Sequence, residues 1–463
     1  MSTDLCALTA TELLDRYRMH ALSPVEVARA VLSRIEALNP KLNAFNLVSQ
    51  TILEDAKASE ARWMRGEPKG LLDGVPTSIK DIVLTKGWPT LRGSKTVDAK
   101  GAWNDDAPAT ARLREHGALL LGKTTTPEFG WKGVTDSPLT GITRNPWNPQ
   151  KTPGGSSGGA AAAIASGMGA LAVGTDGGGS IRIPCSFTGI FGLKPSFGRV
   201  PAWPLSPFGT VAHLGPMTRS VADAALMLNV LSLPDARDWL ALPYDARDYR
   251  SHLDDGIKGL RIAASADLGY ARLDGEVREL FRKSLSVFSD LGARLEERDP
   301  GFENPEPVFR AHWFSGAAFL VKGIPEAKKP LVDAGLLEVA REGEKLGSHA
   351  LLDAQLKRGA LGMQMNLFHR EFDLLVTPTL AVPAFDAGKE FPEDAKNGRW
   401  TDWTPFTYPF NLTQQPAASI PCGLTKSGLP VGLQIVGPRY ADALVLRAAR
   451  AFETARPVVL PKP

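Results

Sequence analysis

The chain has 463 residues, of which 43% are hydrophobic and 22% charged, the mixture of an ordinary globular protein. This length predicts either one large α/β unit or two to three average domains. The formal net charge of +3 is small for such a chain, so the composition makes no electrostatic case for a nucleic-acid partner or a membrane surface.

Neither the first residues nor the cysteines point to export. Residues 1–20 lack a basic segment followed by an apolar one, and no run reaches the roughly 20 apolar residues of a membrane span. The three cysteines, Cys6, Cys185 and Cys422, are far apart and have no zinc-type or disulfide-framework spacing. We therefore expect a soluble cytoplasmic protein in which Cys185 is a small packed side chain.

The first predicted element in chain order with clear end signals is a helix that begins at Pro24. Ser23 and Glu26 form a capping box around a proline at the first helical position. Apolar residues then recur at helical spacing as far as Asn39-Pro40, where the pattern predicts that the helix ends.

Buried strands are predicted further along the chain. Short apolar runs bounded by glycine, proline or polar residues are typical of strands in a sheet covered on both faces; they occupy residues 119–121, 170–174, 260–264 and 374–377. The interval from about 130 to 220 is rich in glycine, serine and proline yet carries apolar runs, which is typical of backbone shaped around a site. From about 237 to 371 the chain is more helical and charged, which predicts a lobe packed on the sheet.

Residues 117–124 match the phosphate-loop pattern G-x-x-x-x-G-K-[ST] letter for letter. A true phosphate loop wraps an anion with its amides and leads into a helix. Here the residues between the glycines are Ala-Leu-Leu-Leu, which favour a buried strand, and Pro127 follows soon after. We interpret this segment as a strand and expect no nucleotide site.

Residues 154–158 match G-x-S-x-G, the nucleophile elbow of α/β-hydrolases. That elbow requires an apolar strand directly before the serine, but residues 145–153 contain three prolines and cannot form a central strand. Histidines such as His213 do follow later in the chain. An α/β-hydrolase-like esterase, with Ser156 as nucleophile and a histidine base, is therefore kept as an alternative.

Three segments together give a more specific signal. They are residues 73–81 with Lys80, residues 152–159 with Ser156, and residues 174–184 with Ser180. They supply a lysine in an apolar setting and two serines on glycine-rich turns, whose backbone N–H groups can point inward as an oxyanion requires. The alanines that follow Gly159 predict a helix whose N-terminal dipole points near Ser156.

Around these segments the chain resembles the amidase signature family nearly from end to end. The segments that carry the resemblance, beside the central glycine/serine block, are Gly74-Val75-Pro76, Gly122-Lys123-Thr124, Asn145-Pro146-Trp147-Asn148, Phe191-Gly192-Leu193-Lys194-Pro195, Thr377-Pro378-Thr379, Pro409-Phe410-Asn411 and residues 428–434. The resemblance implies an α/β fold in which a central, mostly parallel mixed β-sheet is covered by helices on both faces. We expect one large domain over 1–463, with N-terminal helices in 1–60, a catalytic core in 61–225, a helical lobe in about 237–371 and the rest of the sheet in 372–463.

The resemblance also implies a catalytic triad of Ser180 as nucleophile, Ser156 as relay and Lys80 as base, with a cis peptide between Gly155 and Ser156. An acyl-enzyme would form on Ser180, with no cofactor and no metal. The oxyanion hole would consist of the backbone amides of Gly177, Gly178, Gly179 and Ser180. The residues expected to support the loops are Gly155, Ser157, Asp176 and Arg182, the last two through a salt bridge.

The predicted base sets an electrostatic requirement. A lysine accepts a proton only when it is neutral, so Lys80 must have a pKa well below its usual value of about 10.4. Burial without a counter-ion would lower it. Asp81 would oppose this change if it faced the same way, but neighbours on a strand face opposite sides, so we expect it to point elsewhere.

The substrate must be judged from the variable parts of the chain, which are aromatic. Side chains of this kind favour an apolar funnel for aryl or alkyl amides, anilides or carbamates, with esterase side activity. The candidate pocket residues are Thr125, Phe129, Trp131, Trp203, Phe208, Trp313, Phe314, Trp403 and Phe406. Thr125 departs from the asparagine that is common at this position in the family.

A second alternative within the family is the glutaminase component of a tRNA-dependent amidotransferase. The segments characteristic of that branch are missing between about 300 and 400, which disfavours it. We expect a small-molecule amide or carbamate as the substrate, no nucleic-acid or membrane partner, and a monomer or homodimer.

Overall fold

The computed structural model describes residues 4–393, 395 and 398–461. The helices are α1 (Ala10–Arg18), α2 (Pro24–Leu42), α3 (Ile52–Met64), α4 (Pro108–Glu115), α5 (Gly158–Ala165), α6 (Arg182–Thr188), α7 (Val221–Leu231), α8 (Gly275–Asp290), α9 (Glu306–Lys322), α10 (Ala334–Glu344), α11 (Ser348–Glu371), α12 (Pro409–Leu412) and α13 (Asp442–Ala455). The strands are β1 (Phe45–Val48), β2 (Pro76–Lys80), β3 (Leu119–Thr124), β4 (Asp136–Ser137), β5 (Gly141–Ile142), β6 (Leu171–Asp176), β7 (Phe191–Lys194), β8 (His213–Thr218), β9 (Arg261–Ala264), β10 (Arg294–Glu297), β11 (Leu374–Pro378), β12 (Ala417–Leu424) and β13 (Pro430–Val436).

The capped helix predicted near the N-terminus is α2, and its start agrees with the sequence. Ser23 Oγ accepts a hydrogen bond from the amide of Val25, and the Glu26 carboxylate accepts one from the amide of Ser23. The predicted end at Asn39-Pro40 is wrong, because α2 continues through Pro40 to Leu42. A proline near the end of a helix removes a single amide donor, and Asn43 closes the helix in the left-handed conformation, with its N–H donating to the Asn39 carbonyl.

Within the described residues, eleven strands form one sheet in the order β1-β3-β2-β6-β8-β7-β12-β13-β11-β9-β10. Two groups of neighbours run parallel, β3-β2-β6 and β11-β9-β10, and the strands between these groups pair antiparallel. The four predicted apolar runs correspond to β3, β6, β9 and β11. The interval 237–371, expected to be a helical lobe, contains α8 to α11 but also contributes β9 and β10 to the sheet.

Helices cover both faces of this sheet, as expected. Leu171 and Val173 of β6 pack into a large apolar cluster with residues of α2, α7 and α13. Ala172, between them, packs instead with Ile164 of α5 and Cys185 of α6. Successive side chains of a strand point to opposite faces, so α5 and α6 lie on the face opposite α7.

A third apolar cluster is rich in aromatic side chains and is formed largely by α9, α10, α11 and the segment that leads into α12. All three cysteines are free and buried. Burial raises the pKa of the Cys185 thiol well above its usual value, which agrees with its interpretation as a packed side chain. No helix among the residues that the structure describes is long and apolar enough to span a bilayer.

Candidate active site

The parallel trio β3-β2-β6 positions the site. Because β2 and β6 are parallel neighbours, their carboxyl ends meet at the same edge of the sheet, which is where α/β proteins commonly bind ligands. Lys80 is the last residue of β2, and Asp176 is the last residue of β6. The loop that follows β6 carries Ser180, and the turn before α5 carries Ser156 at the same edge.

Lys80 is buried against two hydroxyl groups. Its Nζ lies 2.7 Å from Ser156 Oγ and 2.7 Å from Thr175 Oγ1. The lysine is 0% exposed, so water does not stabilise an ammonium group there. Burial lowers the pKa of Lys80 well below its usual value, although the negative charge of Asp176 acts in the opposite direction. The geometry thus favours the neutral amine that a base requires.

Asp81 does not serve as a counter-ion to Lys80. Its carboxylate accepts a hydrogen bond from Asn46 Nδ2 at 2.8 Å and lies 3.9 Å from Lys123 Nζ. Lys123, the lysine of the phosphate-loop match, is itself buried in β3 and donates to the Val83 carbonyl at 2.5 Å and to two threonine hydroxyls. The segment is therefore a strand, as predicted, and Asp81 points away from Lys80.

The turn that carries Ser156 is closely packed, so that glycines beside it leave little room for a side chain. The peptide between Gly155 and Ser156 is cis, as the resemblance implied. A Cβ on Gly155 would collide with the backbone of Val134. On the other side, a Cβ on Gly130 would lie 3.2 Å from Ser156 Oγ. The sequence did not predict that Gly130 lies beside Ser156, because it is one of many glycines and belongs to no recognised motif.

Ser180 lies beside this turn on the loop between β6 and α6. Its carbonyl accepts a hydrogen bond from the amide of Ser157 at 3.2 Å. Ser157 Oγ in turn accepts from the amide of Thr175 and donates to its carbonyl. Ser157 thus joins the turn that carries Ser156 to the loop that carries Ser180 and to the end of β6.

The backbone of this loop presents amides that can stabilise an oxyanion. The carbonyl of Asp176 accepts from Asn411 Nδ2, and the carbonyl of Gly179 accepts from the amide of Ile183. In a trans peptide the N–H points opposite to the C=O, so the amides of Gly177 and Ser180 face the other way. The assignment of Gly179 to the oxyanion hole is corrected here, because its own amide donates to Asp176 Oδ1 at 2.8 Å.

Asp176 and Arg182 form the buried ion pair predicted for them, and both side chains are fully enclosed. Although burial raises the pKa of the Asp176 carboxyl, the Arg182 guanidinium outweighs it and holds that pKa well below its usual range. Arg182 also donates to the Thr407 carbonyl, Gln434 Oε1 and Asn411 Oδ1. These three partners come from the C-terminal part of the chain and were not predicted to contact the loop, although Asn411 and Gln434 lie in family-like segments.

The nucleophile-elbow alternative fails on two observations. Residues 152–156, directly before and at the serine, are not a strand. His213 places Nδ1 at 2.8 Å from the Val211 carbonyl, and among the described residues no histidine forms a hydrogen bond with Ser156 or Ser180. In the same part of the chain, no three His, Cys, Asp or Glu side chains are close enough to hold one metal ion.

A cavity of about 800 Å³ opens onto Ser156, Gly177 and Ser180. The predicted pocket residues that line it are Phe129, Trp203, Phe208 and Trp313. Trp313 stacks on Phe208 with ring centroids 3.8 Å apart, and a Cβ on Gly177 would touch its ring. The aromatic wall therefore stands directly beside the predicted oxyanion loop.

The other predicted pocket residues are not in the lining. Thr125 Oγ1 donates to the Asn43 carbonyl, and the Trp131 carbonyl accepts from the Trp313 indole. Phe314, Trp403 and Phe406 are buried in the aromatic cluster. Sequence composition identifies large apolar side chains, but it does not tell which of them face a cavity and which fill the core.

The whole chain is similar to proteins of known activity. The Amidase family model matches residues 26–446. An acylamidase of Rhodococcus erythropolis is 39% identical over 98% of this chain and 97% of its own, and the A subunit of the glutamyl-tRNA(Gln) amidotransferase of Myxococcus xanthus (strain DK1622) is 35% identical over 97% of each. The crystal structure of a bacterial aryl acylamidase belonging to the amidase signature enzymes is 35% identical, with a TM-score of 0.90 over 97% of this chain and 96% of that one.

Proposed function

The chain belongs to the amidase signature family and is an amide-bond hydrolase, and from this premise we propose that Ser180 is its nucleophile, Ser156 its proton relay and Lys80 its base. The observation that carries the proposal is the 2.7 Å contact between a buried Lys80 Nζ and Ser156 Oγ on the turn beside Ser180. A serine hydroxyl is a weak nucleophile until a base takes its proton, and neutral Lys80 supplies that base.

The proposed reaction has two halves. In the first, Ser180 Oγ attacks the amide carbon while its proton moves through Ser156 to Lys80. The tetrahedral intermediate then breaks its C–N bond, the amine leaves with the proton that returns from Lys80 through Ser156, and an acyl-enzyme remains. In the second half, water attacks the acyl group, its proton follows the same relay, and the carboxylic acid leaves as Ser180 regains its hydrogen.

The oxyanion of each tetrahedral intermediate would be held by the backbone amides that face away from the Asp176 network. We assign this role to Gly177, Gly178 and Ser180. Removing one such donor costs about 3 to 4 kcal/mol of transition-state stabilisation in comparable sites. The role of Asp176 and Arg182 is to fix the loop that presents these amides.

The apolar lining supports an aryl or alkyl amide, an anilide or a carbamate as the substrate, with esters as a side activity. Phe208 and Trp313 offer flat faces for such groups next to the oxyanion loop. One similar protein is named an acylamidase and another an aryl acylamidase.

The similarity to one subunit of an amidotransferase supports a second candidate function, which is a glutaminase that works with partner proteins. Free glutamine has no large apolar group to fill a cavity whose wall is largely aromatic and aliphatic. The predictions of a cytoplasmic location and of a monomer or homodimer stay predictions, which cell fractionation and light scattering would test.

A panel of 4-nitroanilides, aliphatic amides, carbamates, 4-nitrophenyl esters and glutamine, assayed with the purified chain alone, tests the proposal. We expect turnover of neutral anilides and esters, none of free glutamine, and loss of all turnover in Ser180→Ala. Glutamine turnover without anilide turnover would favour the amidotransferase branch. Full activity in Ser180→Ala would show that Ser180 is not the nucleophile.

A further inference from the structure

A half-buried arginine lines the catalytic cavity without a partner among the described residues. Arg92 belongs to the same cavity wall as Phe129, Ser156 and Ser180. Its guanidinium donates no hydrogen bond and forms no ion pair or ring contact within the described ranges. Arginine has five N–H donors in a planar fork. The Arg92 guanidinium is half-buried in the cavity wall, so these donors are free to bind an acceptor that enters the cavity.

The charges near Arg92 do not balance. Burial lowers the pKa of Arg92, and the negative charge of Asp81 opposes this only in part. Asp81 is already engaged by Lys123, Asn46 and the amide of Leu91. Two cations thus share one carboxylate, and arginine stays protonated at neutral pH. Arg92 therefore adds a positive charge to the wall of the cavity that Ser180 also lines.

The other charged residues of the cavity wall do not supply a counter-ion. Asp238 accepts hydrogen bonds from the amides of Ala202 and Leu240, and within the described residues it forms no ion pair with Arg92. Lys322 is a second cation, but it is exposed to solvent at the end of α9. Among the described charged residues of the cavity wall, Arg92 alone is half-buried and has a guanidinium without a hydrogen-bond partner.

The backbone holds Arg92 in position. Its amide donates to the Asp81 carbonyl at 2.9 Å, and its carbonyl accepts from the amide of Phe129 at 2.7 Å. Its φ of +56° lies in the left-handed region that non-glycine residues seldom adopt. Arg92 is thereby fixed between the segment that follows Lys80 and the segment that ends at Gly130, beside Ser156. Because the backbone is already fixed, binding of a ligand has to order only the Arg92 side chain.

We propose that Arg92 binds a carboxylate carried by the substrate, so that this enzyme prefers anionic amides over their neutral counterparts. The proposal rests on the proposed function, because it specifies the substrate class of the same site. A carboxylate matches the guanidinium fork with two parallel hydrogen bonds. It can be carried on the acyl side or on the amine side of the scissile bond, and the two cases are separable by experiment.

The experiment compares matched substrates with the purified full-length chain. Butyryl 4-nitroanilide and succinyl 4-nitroanilide differ by a carboxylate on the acyl side, and acetanilide and 4-acetamidobenzoate differ by one on the amine side. We expect one of the two carboxylates to raise kcat/KM about 10- to 100-fold, mainly through a lower KM, as charge-assisted hydrogen bonds of this kind allow. The increase should shrink as salt is added.

Variants then assign the preference to Arg92. In Arg92→Met we expect the preference for the anionic substrate to disappear while kcat/KM for its neutral counterpart stays within about threefold. Arg92→Lys, which keeps the charge without the fork, should retain part of the preference. Arg282→Met is the matched control, since it removes an exposed cation of α8 that lies outside the cavity wall, and it should leave kcat/KM for both substrates unchanged.

The outcomes separate this proposal from the one on which it rests. If wild-type protein hydrolyses neutral and anionic amides equally well, or if Arg92→Met slows both by the same factor while the protein remains folded, the carboxylate site is refuted and the amidase mechanism stands. If the protein hydrolyses no amide or ester, whether neutral or anionic, the proposed function itself fails. If Arg92→Met does not fold, the test uses Arg92→Lys, in which kcat/KM for the anionic substrate is divided by kcat/KM for its neutral counterpart. A ratio equal to that of the wild-type protein would refute recognition of the carboxylate by the two parallel hydrogen bonds of the guanidinium.

Discussion

At the scale of single residues, the proposed chemistry depends on one uncharged lysine. Lys80 has two hydroxyl partners and no carboxylate within ion-pair distance in the described structure. Its burial at the end of β2 lowers its pKa, and the only charge that opposes this, Asp176, is already neutralised by Arg182. A base of this kind explains how a serine hydrolase can act without a histidine.

The neutral lysine predicts the pH dependence of the reaction. The active form is the free amine, so kcat/KM for a neutral anilide should rise with pH through the lowered pKa of Lys80 and stay level above it. Because that pKa lies well below 10.5, the level region should begin well below that pH. A rate that still climbs as the pH approaches 10 would show an ordinary lysine.

Substitution of Lys80 gives the matching test. Lys80→Met should lower kcat by at least about 10³-fold, because general-base catalysis is lost. Lys80→Arg keeps a positive charge and hydrogen-bond donors but cannot become neutral, so it should be equally inactive. Substantial activity in Lys80→Arg would contradict the role of base.

The sequence identified much of the candidate site at this scale, since the two serines and Lys80 lie in segments with strong glycine, serine and proline patterns. It missed Thr175, Gly130 and Arg92, because a threonine at a strand end, a glycine in a loop and an arginine in a turn are ordinary there. Their importance arises only from what the folded chain brings next to them. The same reason applies to Gly179, because the sequence does not show that its amide donates to the Asp176 carboxylate.

At the scale of elements, the site is held by contacts between segments far apart in the chain. Arg182, the first residue of α6, connects the end of β6 with α12 and β13 through Asp176, Asn411 and Gln434. The apolar runs predicted the strands, because a strand covered on both faces must be apolar on both. They did not predict these polar connections, and the end of α2 was misjudged because a proline in the last turn costs little.

The Arg182 network predicts a large effect on stability. Arg182→Met leaves Asp176 as an unpaired buried charge, and breaking a buried ion pair in this way costs about 3–5 kcal/mol of the free energy of unfolding. Denaturant titration measures this loss. Arg282→Met, on the exposed face of α8, is the matched control and should change stability by less than about 0.5 kcal/mol. A loss below about 1 kcal/mol in Arg182→Met would show that the network is dispensable for folding.

At the scale of the whole molecule, residues 26–446 match one family model, and one similar crystal structure superimposes over nearly the full length. The family resemblance in the sequence therefore predicted the fold class well. It did not predict the cavity wall, because a wall is assembled from loops and helices whose mutual positions depend on the packing of the entire chain. Trp203 and Phe208 precede β8, while Trp313 comes from α9, about a hundred residues later.

The proposed mechanism requires that Ser180, and not Ser156, is the nucleophile. Treatment of the native protein with a fluorophosphonate, followed by proteolysis and mass spectrometry, tests it most directly, because the probe forms a bond only with an activated serine. The expected result is one phosphonylated residue, Ser180, with labelling lost in Lys80→Met and kept in His213→Ala. Labelling of Ser156, or labelling that depends on His213 and not on Lys80, would contradict this assignment.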